Sequence, residues 1–376
     1  MSSWFPFCPR PPRWRIDWAA IEDAFPWVRR LADCPQDPVY HAEGDVWTHT
    51  RMVGEALAEM PGFRARPPAE RAVLFAAALL HDVAKPMRTA LEGDRLTARG
   101  HAWRGAIAAR RILWGIDAPF AAREQVCALV RWHQHPFFLI ERDDARRQAI
   151  EISQTARCDL LALLAEADAR GRVGAGQERL LENTALFAEY CREQGCLDRP
   201  YAFPSDHARF LYFRRPDRDP DYAAHDDTRC EVVVMSGLPG AGKDTFLREH
   251  LPGLPVVSLD ALRAELGVDP EDPQGAVVRA ARERAREYLR RGEPFAWNGT
   301  NVSRRTREAC IGLFADYRAR VRVVYVEAPE ERLRAQNRAR PSPAPDQVLD
   351  RLLDRWEAPD VTEAHRVEWV VGGTNA

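Results

Sequence analysis

The sequence predicts two domains, an all-α domain followed by an α/β domain with a mostly parallel sheet. Two patterns carry this prediction. In the first half, apolar residues recur at helical spacing through successive segments. In the second half, a short β-branched run is followed by a glycine-rich loop, a lysine and a helix. A length of 376 residues is sufficient for two cores of ordinary size.

The composition excludes several classes of protein. With 45% hydrophobic and 29% charged residues, the chain is typical of a globular protein and not of a disordered or fibrous one. It has no apolar run long enough to span a bilayer, and its proline-rich start lacks the apolar core of a signal peptide. Eight scattered cysteines without a C-x-x-C pair predict free thiols in a reducing cytoplasm. The net charge of −2 means that any nucleic-acid contact must be local.

In the first half, an irregular lead-in with a helix near residues 18–31 precedes a series of amphipathic helices from Asp45 onward. Ionisable residues recur on their apolar faces: His49, His81, Asp82, His101, His133 and Asp168. Burying such groups without partners costs about 1–3 kcal/mol each. A shared metal removes this cost because imidazoles and carboxylates become ligands. The alternative is a buried polar network without metal.

Lys85 stands close to this series. Arginine supplies nearly all of the 54 basic residues, and Lys85 and Lys243 are the two lysines. Arginine is a poor substitute where a compact ammonium is required. Lys85 follows His81 by four residues and Asp82 by three, so it should lie on their side of the helix. We expect it to hold a phosphate oxygen beside the metal.

The order of these residues resembles the HD-domain phosphohydrolases over about residues 40–175. The string Leu-Leu-His81-Asp82-Val-Ala-Lys85, with Gly100-His101 and the later His133, resembles the HD domain attached to some tRNA nucleotidyltransferases. The resemblance implies that His49, His81, Asp82 and Asp168 hold a first metal. It implies that His101 and His133 hold a second metal or the substrate phosphate. His135 is the alternative to His133.

The segment 201–229 is predicted to be an exposed linker between a first domain at 1–200 and a second at 230–376. It contains three prolines among many charges. Aromatic residues at 203, 210, 212 and 213 lie among arginines. They either stack on an RNA strand or dock the linker onto a domain.

Residues 231–245 have the pattern of a phosphate-binding loop. An apolar strand leads into Gly237-Leu238-Pro239-Gly240-Ala241-Gly242-Lys243-Asp244-Thr245, and a helix follows. Backbone N–H groups and Lys243 would bind the phosphates of ATP or another NTP with Mg²⁺. Asp244 stands where Ser or Thr normally binds magnesium, with Thr245 one position later. A glycine turn that binds nothing is the alternative.

Further candidates follow the strands of the second half. Asp260 and Arg263 come after a strand at 255–258, and Asn298 and Asn301 after one at 295–297. Strand ends face the ligand crevice of an open α/β sheet. Asp260 could therefore accept a proton from an attacking hydroxyl, or could cap a helix. Arg334 and Arg338, four residues apart, could clamp a transferring phosphoryl group or could lie on an ordinary surface helix.

This half resembles the P-loop polynucleotide 5′-kinases over about residues 230–376. The resemblance rests on the phosphate loop, the D-x-x-R of Asp260 and Arg263, the Asn298–Asn301 turn and the two arginines. It implies that Asp260 is the general base for a 5′-hydroxyl and that Arg263 contacts the acceptor nucleotide. The position of Asp244 departs from the phage-type pattern.

An HD phosphohydrolase followed by a polynucleotide kinase resembles the bacterial bifunctional RNA end-healing enzymes. The resemblance implies removal of a 2′,3′-cyclic or terminal phosphate, phosphorylation of a 5′-hydroxyl on RNA or DNA ends, and a separate ligase. The HD metal could be manganese, nickel, cobalt, zinc or iron. A nucleotide-metabolism enzyme with a small-metabolite kinase and a nucleotide-gated regulator without catalysis are the alternatives.

Overall fold

A computed structural model of the chain describes residues 4–269, 271–340, 343–372 and 374–375. The chain divides into two compact units, Met1–Ala202 and Phe203–Ala376. The first is helical and the second is an α/β unit with a mostly parallel sheet, so the predicted fold class is confirmed. Among the described residues, no helix combines the length and apolar character needed to cross a bilayer.

The first unit is built from helices around one core. The helices are α1 (Trp18–Ala24), α2 (Val28–Ala32), α3 (Val46–Glu59), α4 (Pro61–Arg64), α5 (Pro68–Leu80), α6 (His101–Trp114), α7 (Phe120–Trp132), α8 (Ala145–Ser153), α9 (Cys158–Arg170) and α10 (Gln177–Glu193). Short 3₁₀ turns lie at Lys85–Met87, His135–Phe137 and Leu139–Glu141.

The core is centred on α5. This helix is buried continuously from Ala72 to Leu80 and packs against α3, α7 and α9. The neighbouring helix α3 is amphipathic and begins at an N-cap, where the Asp45 carboxylate accepts a hydrogen bond from the Thr48 N–H. Its buried stripe includes Val46, Val53 and Leu57.

Two details of the first unit differ from the prediction. The single helix expected near residues 18–31 is broken into α1 and α2, because Pro26 lies in the turn between them. A short antiparallel hairpin, β1 (Ala90–Glu92) with β2 (Arg95–Thr97), interrupts the otherwise helical chain. Its residues are mostly exposed, so they show no alternation of apolar and polar residues that could have predicted the two strands.

The second unit places helices around a sheet. The helices are α11 (Asp206–Arg214), α12 (Lys243–His250), α13 (Leu259–Glu265), α14 (Gly275–Arg291), α15 (Arg304–Asp316), α16 (Glu330–Arg338) and α17 (Asp346–Leu353). The strands are β3 (Cys230–Ser236), β4 (Val256–Ser258), β5 (Phe295–Asn298), β6 (Ala319–Glu327), β7 (Arg366–Val371) and β8 (Thr374–Asn375).

The strand order in this sheet is β4-β5-β3-β6-β7-β8, and β8 alone of these strands pairs antiparallel. The apolar strand β3 is central, with Val234 opposite Trp297 of β5 and Val323 of β6. Because these strands are parallel, their carboxyl ends lie at one edge of the sheet. The phosphate-loop sequence and Asp260 follow strands that end at this edge, and Asn298 is the last residue of β5.

The segment expected to be an exposed linker contains a docked helix. Helix α11 belongs to the second unit. Ser205 is its N-cap, and the Ser205 hydroxyl accepts a hydrogen bond from the Ala208 N–H. Phe210 is buried, and its ring centroid lies 4.0 Å from that of His365. Arg209 donates a hydrogen bond of 2.8 Å to the His365 carbonyl. Phe210 therefore anchors this segment to the sheet unit and is not exposed to stack on RNA.

Candidate metal centre and phosphate-binding site

Three buried histidines of the first unit are held by the same backbone contact. In each, Nδ1 lies at hydrogen-bond distance from the carbonyl three residues earlier: His81 on Ala78 (2.8 Å), His101 on Ala98 (2.7 Å) and His133 on Val130 (2.8 Å). Because a carbonyl only accepts, Nδ1 carries the proton, and this contact assigns the tautomer. The Nε2 atom of each ring is left as the free ligand atom.

The helix ends bring these rings together. His81 follows the last residue of α5, His133 follows the last residue of α7, and His101 opens α6. His49 comes from the first turn of α3, and Asp168 comes from the last turn of α9. The structure thus gathers at one centre the six residues that the sequence proposed as metal ligands.

The Nε2 atoms face one another in pairs. Nε2 of His49 lies 3.3 Å from Nε2 of His81, and Nε2 of His101 lies 3.5 Å from Nε2 of His133. Despite burial, Asp82 raises the pKa of His81, so without metal the Nε2 atom of His81 can carry a proton between these groups. A cation between the members of each pair would replace such a proton and make both nitrogens ligands.

Asp82 lies between the two pairs. Its Oδ2 is 3.2 Å from Nε2 of His81, and its Oδ1 is 3.2 Å from Nε2 of His101. Asp168 Oδ1 lies 3.1 Å from Nε2 of His49. Among the described residues, Asp82 Oδ1 and Asp168 Oδ2 are buried with no hydrogen-bond partner. These donors fit one or two divalent ions, with Asp82 as the residue able to bridge them.

The charges of the cluster favour a cation. Burial opposes ionisation of Asp82 and Asp168, but neighbouring cations hold the pKa of each carboxyl well below its usual range. His81 and Lys85 do so for Asp82, and Arg172 for Asp168. Burial disfavours charge on His81, yet Asp82 raises its pKa. In contrast, burial and the neighbouring His81 lower the pKa of His133 to about 3, so that ring stays neutral.

Lys85 lies at the edge of the cluster. Its Nζ is 2.7 Å from Asp82 Oδ2 and donates a 2.6 Å hydrogen bond to Gln36 Oε1. His135 lies elsewhere, with its ring against Trp132 at a centroid distance of 4.5 Å. The geometry therefore favours His133 over His135 as a ligand.

Sequence reasoning missed two residues behind His49. Glu43 Oε1 is 2.9 Å from Nδ1 of His49 and 2.7 Å from Nδ1 of His41, and Oε2 accepts the Val173 N–H at 3.0 Å. A carboxylate on the rear nitrogen of a ligating histidine fixes its orientation. Both residues lie in an irregular loop, so no helical periodicity marks them; the short His-x-Glu string before His49 was the available signal.

The phosphate-loop sequence of the second unit contains three positions whose backbone conformation requires glycine. Gly237, Gly240 and Gly242 have φ values of 149°, 82° and 104°. A Cβ atom on Gly237 would lie 2.3 Å from the Val326 carbonyl oxygen, and one on Gly240 would lie 2.6 Å from that of Leu333. The loop therefore packs closely on the sheet, and α12 begins directly after it at Lys243.

The loop opens into a cavity of about 870 Å³. Lys243 lies there, and its Nζ donates to the carbonyls of Gly237 (2.9 Å) and Leu238 (3.0 Å). Burial lowers the Lys243 pKa to about 8. The side chains of Leu238 and Ala241 are buried, whereas Pro239, Gly240, Gly242, Asp244 and Thr245 line the cavity. This arrangement can bind phosphates through backbone N–H groups and one ammonium.

The predicted magnesium position holds a hydrogen-bonded carboxylate. Asp244 Oδ1 accepts a 2.6 Å hydrogen bond from Asn298 Nδ2, and Thr245 Oγ1 accepts one of 3.2 Å from Arg248. Both side chains remain exposed to the cavity. Asn301 lies outside the lining, and its amide donates to the Met235 carbonyl at 2.8 Å. It therefore supports strand β3.

Asp260 faces the same cavity between two arginines. Arg263 Nη1 donates to Oδ1 at 2.6 Å, and Arg340 Nη2 donates to Oδ2 at 2.7 Å. Desolvation opposes ionisation, but these bonds lower the Asp260 pKa. Ser258, and not Asp260, caps α13. The structure thus leaves the Asp260 carboxylate for a role in the cavity.

The two arginines proposed as a clamp lie outside the lining of the cavity. Arg334 bonds to Glu330 at 2.9 Å, and Arg338 is exposed on α16. Arg340, two residues beyond the helix, reaches the cavity instead. This residue belongs to the same arginine-rich string, but its position depends on how the chain turns after α16.

Family models match the two halves separately. A model described as the HD domain matches residues 46–170, and one described as an AAA domain matches residues 232–359. The chain thus combines an HD domain with a P-loop kinase-like domain. HD domains bind divalent metals, and a P-loop kinase domain implies a nucleotide with Mg²⁺.

Curated relatives include proteins named multifunctional CCA protein. The one from Halorhodospira halophila is 35% identical over 122 residues, 32% of this chain and 27% of the relative. The one from Thioalkalivibrio sulfidiphilus is 33% identical over 164 residues, 42% of this chain and 37% of the relative. The chain spans well under half the length of each.

Two solved structures show weaker likeness. A candidate kinase from Chloroflexus aurantiacus is 18% identical with a TM-score of 0.31, covering 39% of this chain and 87% of that one. A sugar kinase from Janibacter sp. HTCC2649 is 19% identical with a TM-score of 0.29, covering 38% and 84%. Because both scores are below 0.5, they support no conclusion about activity.

Proposed function

We propose that this chain heals broken RNA ends with two active sites. The first unit acts as a metal-dependent 2′,3′-cyclic phosphodiesterase and phosphatase, and the second as an NTP-dependent polynucleotide 5′-hydroxyl kinase. The observation that carries the proposal is that one chain holds both a buried His/Asp cluster around Asp82 and a glycine-loop cavity with Lys243 and Asp260. Each set has the residue types that its reaction requires.

In the first unit, His49, His81, Asp82 and Asp168 would hold one metal, with His101 and His133 completing a second site around Asp82. When bound, a divalent ion would supply positive charge to the phosphoryl oxygens and would lower the pKa of a bound water to about 7. Lys85, at 2.7 Å from Asp82 Oδ2, supplies an ammonium beside the centre. It is placed to bind a phosphate oxygen of the substrate.

In the second unit, the backbone amides of the glycine loop and Lys243 bind the NTP phosphates. Asp260 stays ionised because Arg263 and Arg340 donate hydrogen bonds to it. It can accept the proton of an attacking hydroxyl as the new oxygen–phosphorus bond forms, while the bond from the γ-phosphorus to the bridging oxygen breaks and the NDP leaves. Arg340 also places positive charge on the cavity side where the phosphoryl group is transferred. Asp244, held by Asn298, replaces the usual hydroxyl at the magnesium position.

Several features support RNA over a small metabolite as substrate. The first half resembles the HD domain of tRNA nucleotidyltransferases, and the curated relatives have CCA in their names. The second half carries the D-x-x-R of polynucleotide kinases, with both residues on the cavity. A kinase for a small metabolite would share the phosphate loop, so the acceptor decides between the two functions.

The test is an acceptor assay on the full-length protein with labelled ATP and Mg²⁺. We expect label on a 5′-hydroxyl oligoribonucleotide and much less on a nucleoside of the same base. The matched control is the same oligonucleotide carrying a 5′-phosphate, which has no free 5′-hydroxyl to accept the label. Preferential labelling of the nucleoside would indicate a metabolite kinase. ATP binding without transfer to any acceptor would indicate a regulator.

A further inference from the structure

A cluster of three cysteines lies in the first unit, away from the histidine centre. The thiols of Cys158, Cys191 and Cys196 are fully buried, and their sulfur atoms all lie within 4.8 Å of one another. Cys158 and Asp168 are on the same helix, α9, ten residues apart, or about 15 Å along its axis. The cysteine cluster is therefore a separate site.

The backbone holds the three sulfurs in place. Cys158 is the first residue of α9, and Cys191 lies near the end of α10. The Cys196 N–H donates to the Cys191 carbonyl at 2.8 Å, which closes the turn between them. The Asp159 N–H donates to the Leu197 carbonyl at 2.8 Å, which fixes that turn against the start of α9.

The cluster offers three sulfur ligands. Cys158 lies at the N-terminus of a 13-residue helix, where the partial positive charge of the backbone N–H groups would stabilise a metal-bound thiolate. Among the described residues, this group consists of the three cysteines and includes no histidine or carboxylate. Three thiolates without carboxylate or imidazole select soft cations.

We propose that Cys158, Cys191 and Cys196 bind one thiophilic metal ion, Zn²⁺ or Cu⁺, that joins α9 to the end of α10. Binding replaces the thiol protons, which are released to solvent, and forms bonds from sulfur to the metal. The sulfurs already lie within 4.8 Å of one another. Three sulfurs that each bind the same zinc ion at about 2.3 Å fit within this spacing. The ion would have a structural role, since all three thiols are shielded from solvent.

The test uses Co²⁺ as a probe, because thiolate-to-cobalt charge transfer absorbs in the near ultraviolet and histidine or carboxylate ligation does not. Reduced, metal-free full-length protein is titrated with Co²⁺ without oxygen. We expect a charge-transfer band whose final amplitude corresponds to one cobalt–thiolate site per chain, with any further Co²⁺ bound at the histidine centre adding no such band. The band should be lost in Cys191→Ser and Cys196→Ser and should persist in Cys127→Ser. Cys127 is a matched control because it is a buried cysteine outside the cluster.

The same band must persist in Asp82→Asn, which removes a ligand of the histidine centre. This arm separates the cysteine site from the proposed hydrolase, so either can fail alone. Competition with Zn²⁺ and with Cu⁺ then identifies the preferred ion. X-ray absorption of the zinc-loaded wild-type protein should show a sulfur shell, a measurement that needs no variant to fold.

Three results would overturn the proposal. The first is a wild-type protein with no charge-transfer band and no sulfur shell. The second is a band that survives both cluster substitutions. The third is a disulfide between two of the three cysteines in the freshly purified protein, found by peptide mapping without reductant, because oxidised sulfurs cannot bind the ion.

Discussion

The Nε2 atoms of His49 and His81 lie 3.3 Å apart, and both face the Asp82 carboxylate. Nδ1 of His81 donates to the Ala78 carbonyl, and Nδ1 of His49 faces Glu43 at 2.9 Å. Both rings therefore direct Nε2 at the same space, together with Asp82. A divalent cation in this space would be bound by both nitrogens and by the carboxylate at once. The first unit thus places nitrogen and carboxylate ligand atoms around one space that can hold a cation.

Replacement of Glu43 should weaken metal binding without removing a ligand. In Glu43→Ala, His49 loses the carboxylate behind its Nδ1, and metal affinity should fall by about 10- to 100-fold. Mn²⁺ titration by calorimetry measures this loss, and Mn²⁺ avoids the thiol cluster. Glu92→Ala in the exposed hairpin is the control. Unchanged Mn²⁺ affinity in Glu43→Ala would show that Glu43 has no positioning role.

Nucleotide binding should take up a proton at alkaline pH. The pKa of free Lys243 is lowered to about 8, and bound phosphates should raise it. Free Lys243 loses its proton as pH rises through about 8, so binding must restore it and affinity should decline above that pH. Calorimetry of ATP binding in buffers of different ionisation enthalpy should detect uptake above this pKa.

The control for proton uptake is the same experiment about one and a half units below that pKa, where Lys243 is already charged and uptake should vanish. The unfolded-state value of 10.5 gives the sign of the stability effect. The lowered pKa destabilises the free protein below about pH 8, and this penalty is relieved as pH rises toward 10.5. Uptake that is equal at both pH values would exclude Lys243 as its source.

Within the arginine-rich string at 332–340, the arginine that reaches the cavity should matter more than those on helix α16. Arg340→Ala removes a hydrogen bond to Asp260 and positive charge from the cavity, so the kinase rate should fall by about 100-fold. Arg338→Ala, in the same arginine-rich string but exposed outside the lining, should stay within a few-fold of wild type. Steady-state kinetics on 5′-hydroxyl RNA measures both. A larger loss in Arg338→Ala would support the clamp predicted from sequence and contradict the observed cavity.

Helix α11 should stabilise the second unit. Phe210→Ala deletes a buried ring from its core and should cost about 3–5 kcal/mol of unfolding free energy. Tyr222→Ala removes an exposed aromatic ring of the same segment and should change it by less than about 0.5 kcal/mol. Urea unfolding monitored for the second unit compares them. Equal effects would mean that the segment behaves as the exposed linker predicted from sequence.

The sequence predicted the fold class and most of the gathered side chains because periodicity marks inward faces. His49, His133 and Asp168 follow apolar residues at helical spacing, so their burial together was predictable. Glu43 lies in an irregular loop, where no period identifies the inward side. Its role depends on the tertiary contact with His49.

Two other differences have the same origin. The i, i+4 rule relates Arg334 to Arg338 within a helix, but Arg340 lies beyond the end of α16, and its direction is set by the turn that follows. The prolines and charges of 201–229 suggested exposure, although helix α11 within this segment has a buried face that includes Phe210. That burial is created by His365, far along the chain, and no local pattern contains it.

The central claim is that two independent active sites lie in one chain. One RNA that carries both a 5′-hydroxyl and a 2′,3′-cyclic phosphate tests it, with ATP, Mg²⁺ and Mn²⁺ present and both ends analysed by mass spectrometry. We expect wild type to change both ends, Asp82→Asn to change only the 5′ end, and Lys243→Ala to change only the 3′ end. Loss of both activities in either variant, or a wild-type protein that alters neither end, would contradict the account.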